Sequence, residues 1–403
     1  MNKSLVVIFT AIGLDAVGIG LIFPILPRLL AEVTHAANVA YWIGLMTALY
    51  AVMQFIFAPV LGALSDRLGR RPVLLISLGG AAINYLLMAF APQLWMLFLG
   101  RAIAGLTSAN IAVAMAYITD VSAPDQRARR FGLFNAVFGA GFIIGPVLGG
   151  VLGDYGLRWP FMAAAVLNAA NFLLALWVLP ESRTPTRAKI DFAALNPLRP
   201  LRWALSMKPL LPVMLIFFIL SATGEVYGTC WALWGNDAFQ WNGLWIGLSL
   251  GAFGVCQTLA QAFLPGPAVK LLGERGAVLA GIASVCVALT VMALARQGWW
   301  VFAIMPVFAL GGIGSPALQA MATRQADESR QGQFQGVLAS VVSLASIIAP
   351  LVFSTLYFVV RTQWPGAIWL SVMALYVIAV PLVLGLQFGP AELHATGAAA
   401  QEA

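Results

Sequence analysis

Hydrophobic residues run through this chain in long blocks, separated by short polar clusters at near-regular intervals. The blocks are long enough for the roughly 20 residues that a helix needs to cross a hydrocarbon core. Twelve can be counted, at about 4–27, 41–64, 73–92, 95–119, 131–154, 160–180, 210–233, 243–264, 277–296, 299–322, 333–358 and 365–388. A lipid core offers no water to satisfy peptide groups, so such blocks must satisfy their own as helices. The pattern predicts an all-α membrane protein of twelve transmembrane helices. The first block holds an acid and lacks a small-residue cleavage site, so it reads as a retained helix rather than a signal peptide.

The longest polar interval, 181–208, is basic and contains Pro185, Pro197 and Pro200. It reads as a connector between an N-terminal six-helix bundle (1–180) and a C-terminal one (209–388), with a tail at 389–403. An internal repeat supports this division. Gly62-Ala-Leu-Ser-Asp66-Arg67-Leu-Gly69-Arg70-Arg71 recurs weakly as Gly266-Pro-Ala-Val-Lys270-Leu-Leu-Gly273-Glu-Arg275, at an offset of 204. Gly145-Pro146 recurs as Ala349-Pro350 at the same offset. Two matches at one offset point to a duplicated six-helix unit, giving two pseudo-symmetric bundles. Parallel repeats of this kind place a site between the halves near the midplane.

Composition agrees with the compartment: 61% of residues are hydrophobic and 9% are charged. The net charge of +7 is a topology signal rather than a nucleic-acid signal. Basic residues gather in alternate loops: Arg67, Arg70, Arg71; Arg127, Arg129, Arg130; the 181–208 connector; Lys270, Arg275; and Arg324, Arg330. The positive-inside rule puts these loops and both termini in the cytoplasm. Cys230, Cys256 and Cys286 lie in apolar blocks without metal spacing, and His35 and His394 lie in a loop and the tail. There is no nucleotide loop, metal cluster or nucleophile constellation. An enzyme, an ATP-driven pump and a resident metal or cofactor are therefore not expected. The energy source is expected to be a gradient.

A few polar residues interrupt the blocks. Asp15 sits in the middle of the first, with no other charge between Lys3 and Arg28. A carboxylate at bilayer depth costs about 3 kcal/mol on insertion scales, and such groups are proton, ion or substrate sites by default. Glu225 in the seventh block and Arg101 in the fourth raise the same expectation. Gln54, Gln257 and Gln261 are candidate cavity-lining amides, or alternatively glue between helices. Trp231, near Glu225, is the candidate aromatic wall. In the loop after the second block, Gly62 permits close helix approach and Asp66 can pair with a basic group. Gly69 permits a turn, and Arg70 and Arg71 can dock on helix C-termini or on opposing acids. In the fifth block, Gly139, Gly141, Gly145, Pro146, Gly149 and Gly150 form a small-residue seam with a helix-bending proline.

The loop Gly62–Pro72 resembles the loop signature of the major facilitator superfamily, and the fifth-block run resembles the signature of its drug–proton antiporters. Across nearly the whole length the chain is similar to the tetracycline efflux branch. The similarity is carried by Leu14-Asp15-Ala-Val-Gly18, Gln54-Phe-Ile-Phe-Ala-Pro59, Ala116-Tyr-Ile-Thr-Asp120, Gly311-Gly-Ile-Gly314 and Arg330-Gln-Gly-Gln. The resemblance implies a proton-coupled antiporter that exports tetracycline-like or other amphipathic drugs, free or as a metal chelate. It implies roles in coupling, passage or gating for Asp15, Gln54, Arg70, Arg101, Asp120, Arg127 and Trp231. It also makes Asp15 a candidate partner of Arg101, since the first and fourth helices adjoin in that fold. The chain departs from the branch at Asn84 and Ser284, where aspartates are usual, at Gln257, where histidine is usual, and at Glu225, where glutamine is usual. These departures keep open a proton-coupled transporter of a metabolite.

Overall fold

The computed structural model describes residues 3–34, 38–108, 110–182, 196, 211–323 and 331–386. Most of the predicted connector and the whole of the predicted tail lie outside them. Among the described residues, twelve helices are long and apolar enough to cross a membrane. They are Leu5–Ile22, Val39–Leu68, Arg70–Phe90, Leu94–Asp120, Arg129–Tyr155, Trp159–Val178, Leu211–Phe239, Gly243–Phe263, Pro265–Leu294, Trp299–Gln319, Phe334–Val360 and Ala367–Gly385. They are called the first to twelfth spans below.

Local chemistry explains where the spans deviate from the apolar blocks. The first ends at Ile22, because a turn around Pro24 redirects the chain into a short helix, Leu26–Thr34. The fourth breaks after Leu106, where Thr107 Oγ1 donates to the Ile103 carbonyl and Ser108 Oγ to the Gly105 carbonyl. Such hydroxyls compete with the helical ladder. The ninth begins at Pro265, earlier than its apolar block, and bends at Gly273.

The weak repeat is structural. Gly69 and Gly273 are the glycines with positive φ among the described residues, at 102° and 71°. Both occupy the left-handed region that a side chain disfavours. Two residues on, Arg71 donates to the Leu176 carbonyl at 2.6 Å, and Arg275 donates to the Leu386 carbonyl. The matching positions of the two halves thus turn the chain in the same way and dock an arginine on the last span of their own half.

Within the first half, the first span packs on the fifth and sixth, and the third packs on the sixth. Within the second half, the seventh packs on the eleventh and the ninth on the twelfth. Two seams join the halves, fifth against eighth and second against eleventh. Val166, Leu173 and Trp177 on the sixth span, and Val377 and Ile378 on the twelfth, are exposed. They form the apolar exterior that lipid requires.

The seams close one end of the molecule. A side chain on Gly150 would strike the Gly243 carbonyl, one on Gly247 the Pro146 carbonyl, and one on Gly44 Ser354 and the Pro350 carbonyl. Small residues let these backbones touch. Toward the other end, a Cβ on Gly62, Gly132 or Gly139 would meet nothing within 4 Å. Among the described residues, these glycines make no contact with the other half at the end bearing the basic loops.

Candidate functional site

Between the halves lies a cavity of about 1800 Å³. Its described wall comes mainly from the first, second, fourth and fifth spans and from the seventh, eighth and tenth. The wall is largely apolar, and its charged members are Asp15, Arg101 and Glu225. Gln54, Gln257, Gln261 and Asn84 also line it. The structure thus gathers the costly polar groups of six spans around one space.

Asp15 is buried on the first span, and Tyr50 and Tyr85 lie within electrostatic reach of both Asp15 and Arg101. Arg101 rests on the ring of Tyr50, its guanidinium carbon 4.6 Å from the centroid. Its Nε is buried and makes no hydrogen bond among the described residues. The Tyr50 face attracts this cation through the ring quadrupole. Facing them in the other half, Glu225 accepts a 2.6 Å hydrogen bond on Oε1 from Ser346 Oγ of the eleventh span. The amide nitrogens of Gln257 and Gln261 approach the backbone at Gly312. Asn84 Oδ1 is buried without a hydrogen-bond partner among the described residues. Ser284 donates to its own helix at Gly281 and is absent from the cavity wall.

Trp231 does not form the aromatic wall that the sequence suggested. It is 3% exposed, donates its indole N–H to Ser249 Oγ at 2.8 Å, and packs edge-on against Trp234 and Trp369. A buried indole N–H needs an acceptor, and Ser249 draws it behind the wall. In its place the second half lines the cavity with Tyr227 and Phe308, ring centroids 5.0 Å apart, and with Phe253 against Phe308 at 4.8 Å.

The loop residues assemble around Arg70. Its guanidinium contacts Asp66 Oδ1 at 2.9 Å, Ser65 Oγ at 2.9 Å and Asp120 Oδ2 at 3.0 Å. The backbone N–H groups of Arg70 and Arg71 donate to Glu181 at 2.7 and 3.1 Å. Glu181 is thus a carboxylate cap on the third span's N-terminus, where the helix dipole favours it. Arg67 is exposed, and among the described residues Arg127 reaches the Ser122 carbonyl, at 3.4 Å. Gly62 lines the open mouth and is not a helix contact. In the fifth span, Gly141, Gly145 and Gly149 abut the first-span backbone, whereas Gly150 and Pro146 abut the eighth. This span is clasped between its own half and the other.

The Major Facilitator Superfamily model matches this chain over residues 8–232 and 213–402. The chain belongs to the major facilitator superfamily. It is 48% identical to the tetracycline resistance protein, class C, of Escherichia coli, over 94% of this chain and 96% of that one. It is 44% identical to the class G protein of Vibrio anguillarum, over 95% and 98%. Among solved structures, the nucleoside transporter NupG superposes with a TM-score of 0.79 at 13% identity, covering 96% of this chain and all of that one. The peptide transporter POT in complex with sulfate gives 0.78 at 15%, covering 96% of each chain. These superpositions show a shared fold.

Four residues that hold other polar groups in place escaped the sequence reading: Tyr50 beneath Arg101, Asp154 paired with Arg28, Glu181 on the third span's N-terminus and Ser346 on Glu225. Glu181 carried a signal, an acid at the end of the sixth block, where it can reach a helix start. The others are ordinary residues whose importance lies in their partners.

Proposed function

We propose that this chain is a proton-coupled antiporter that exports tetracycline-like amphipathic drugs by alternating access. The observation that carries the reading is the cavity itself. It is apolar and large enough for a drug, with Asp15 and Arg101 on one half and Glu225 on the other, in a chain 48% identical to a tetracycline resistance protein. Basic loops at the open end support an inner-membrane orientation with both termini cytoplasmic. The conformation is then the inward-open one. Protons entering from the periplasm would neutralise Asp15 or Glu225 and favour this state. Their release to the cytoplasm would accompany the drug's outward passage. The proton gradient is the energy source and no cofactor is required.

The substrate enters as a small organic molecule, free or metal-chelated. With Asn84 and Gln257 on the wall in place of an acid and a histidine, and Glu225 in place of a glutamine, the cavity carries a different set of ionisable groups from the branch pattern it resembles. Substrate charge and proton stoichiometry are expected to follow that difference. The test is the inhibitory concentration of tetracycline for a susceptible, pump-deficient bacterium expressing the chain. The reading predicts a rise that Asp15→Asn removes. Wild-type protein that reaches the membrane without raising it would contradict the drug assignment.

A further inference from the structure

At the closed end, Asp154 of the fifth span spends one carboxylate on both halves. Oδ1 accepts from Arg28 at 2.9 Å, within its own half, and from the backbone N–H of Gly243 at 3.2 Å, across the seam. Oδ2 accepts from the N–H of Leu244 at 3.2 Å. Gly243 opens the eighth span, and Asn242, its N-cap, takes the N–H of Trp245. The first turn of a helix presents N–H groups that have no partner within the helix. Here two of them are satisfied by the opposite half. The bonds also bring charge to a helix dipole that favours it.

The second half offers a control within the same molecule. Its seventh and eleventh spans correspond to the first and fifth, and they too carry an ion pair at their ends. Asp237 accepts from Arg361 at 2.7 Å and from Tyr357 at 2.6 Å. Both partners belong to its own half, so the pair can ride through a rocking motion intact. The Asp154 contacts to the eighth span cannot, because the halves must part there for the cavity to open at this end. Asp154 and Arg28 are partly exposed, with side chains 28% and 30% accessible. Water can therefore take over the broken bonds, which suits a reversible contact.

We infer that Asp154 is a positioning residue of the transport cycle. It is an inter-half latch that holds the Arg28 end closed by capping the eighth span, and it releases when the halves rock apart. The inference rests on alternating access but not on any substrate. Its test reads conformation, so it can fail while the drug assignment stands.

A reporter sits beneath the latch. Ile25 is fully buried, abuts Gly153 and Gly243, and does not line the cavity. With Cys230, Cys256 and Cys286 replaced by alanine, Ile25→Cys would be labelled by a maleimide in lipid nanodiscs. Asp154→Ala should raise the labelling rate on the order of tenfold, the shift expected when a charge-assisted contact made in only one state is removed. Asp154→Glu should stay near the parental rate. Arg28→Ala should raise it a few-fold, since the carboxylate keeps its amides but loses its anchor. Thermal melting of each variant identifies loss of fold. A folded Asp154→Ala protein labelled at the parental rate would overturn the latch. So would an Arg28→Ala protein that labels faster than Asp154→Ala.

Discussion

Ser346 Oγ lies 2.6 Å from Glu225 Oε1 and ties the eleventh span to the one acid on the described second-half cavity wall. The hydroxyl donates when the acid is a carboxylate and can accept when it is protonated. The pair can therefore keep its contact in both protonation states. Glu225→Gln keeps the shape and removes the proton. It should lower gradient-driven exchange at least tenfold while leaving the melting temperature nearly unchanged. Ser346→Ala should cost only a few-fold. Initial rates in proteoliposomes under an imposed pH gradient check both.

Arg70 is buried and shares its guanidinium among Asp66, Asp120 and Ser65. Lysine cannot reproduce that fork. Removing one partner of a buried charge network leaves the others uncompensated, at roughly 3–5 kcal/mol. Asp66 is largely exposed and screened, so the figure for Arg70→Ala should fall at or below the lower end. Arg70→Lys should recover less than half of the loss. Thermal melting of purified protein gives the comparison.

The two left-handed glycines make a matched pair. Alanine at Gly69 would suffer both the unfavourable backbone, about 1–3 kcal/mol, and a clash with the Glu181 carboxylate that caps the third span. Alanine at Gly273 would meet nothing within 4 Å, so it should suffer the backbone term alone. Gly69→Ala is expected to lower the melting temperature more than Gly273→Ala. Equal shifts would mean that the Glu181 cap carries no weight.

Gly247 faces the Pro146 carbonyl at the fifth–eighth seam. A bulky side chain there cannot be accommodated without separating the halves, whereas each half can keep its own packing. Gly247→Leu should insert into membranes and bind lipid as wild type does, yet lose transport, with its closed end labelled faster in the Ile25→Cys assay. A variant that transports at the wild-type rate would show that the seam need not close this tightly.

Much of this architecture was legible before the structure, for a physical reason. Apolar blocks in lipid have only one way to satisfy their backbones, so all twelve spans stand out from hydropathy. Asp15, Arg101 and Glu225 stand out because their placement is expensive. Gly69 and Gly273 stand out because the repeat carries them to matching turns. What could not be read was partner choice. The seventh span is apolar on nearly every side, so periodicity assigns it no face. The sequence therefore points to Trp231 as the wall, although Tyr227, four residues before it, is the ring that lines the cavity. Tyr50 gains its role from a cation on another span, and Ser346 from an acid 121 residues away. Gly62 resembles a packing glycine, yet in this conformation it borders open space.

The central claim is that drug and proton exchange through the cavity that holds Asp15. It is tested most directly by tetracycline uptake into everted membrane vesicles under an imposed pH gradient, comparing wild type with Asp15→Asn. The account predicts uptake that collapses when the gradient is dissipated and is absent in the mutant despite normal expression. Full gradient-driven uptake by Asp15→Asn would contradict it.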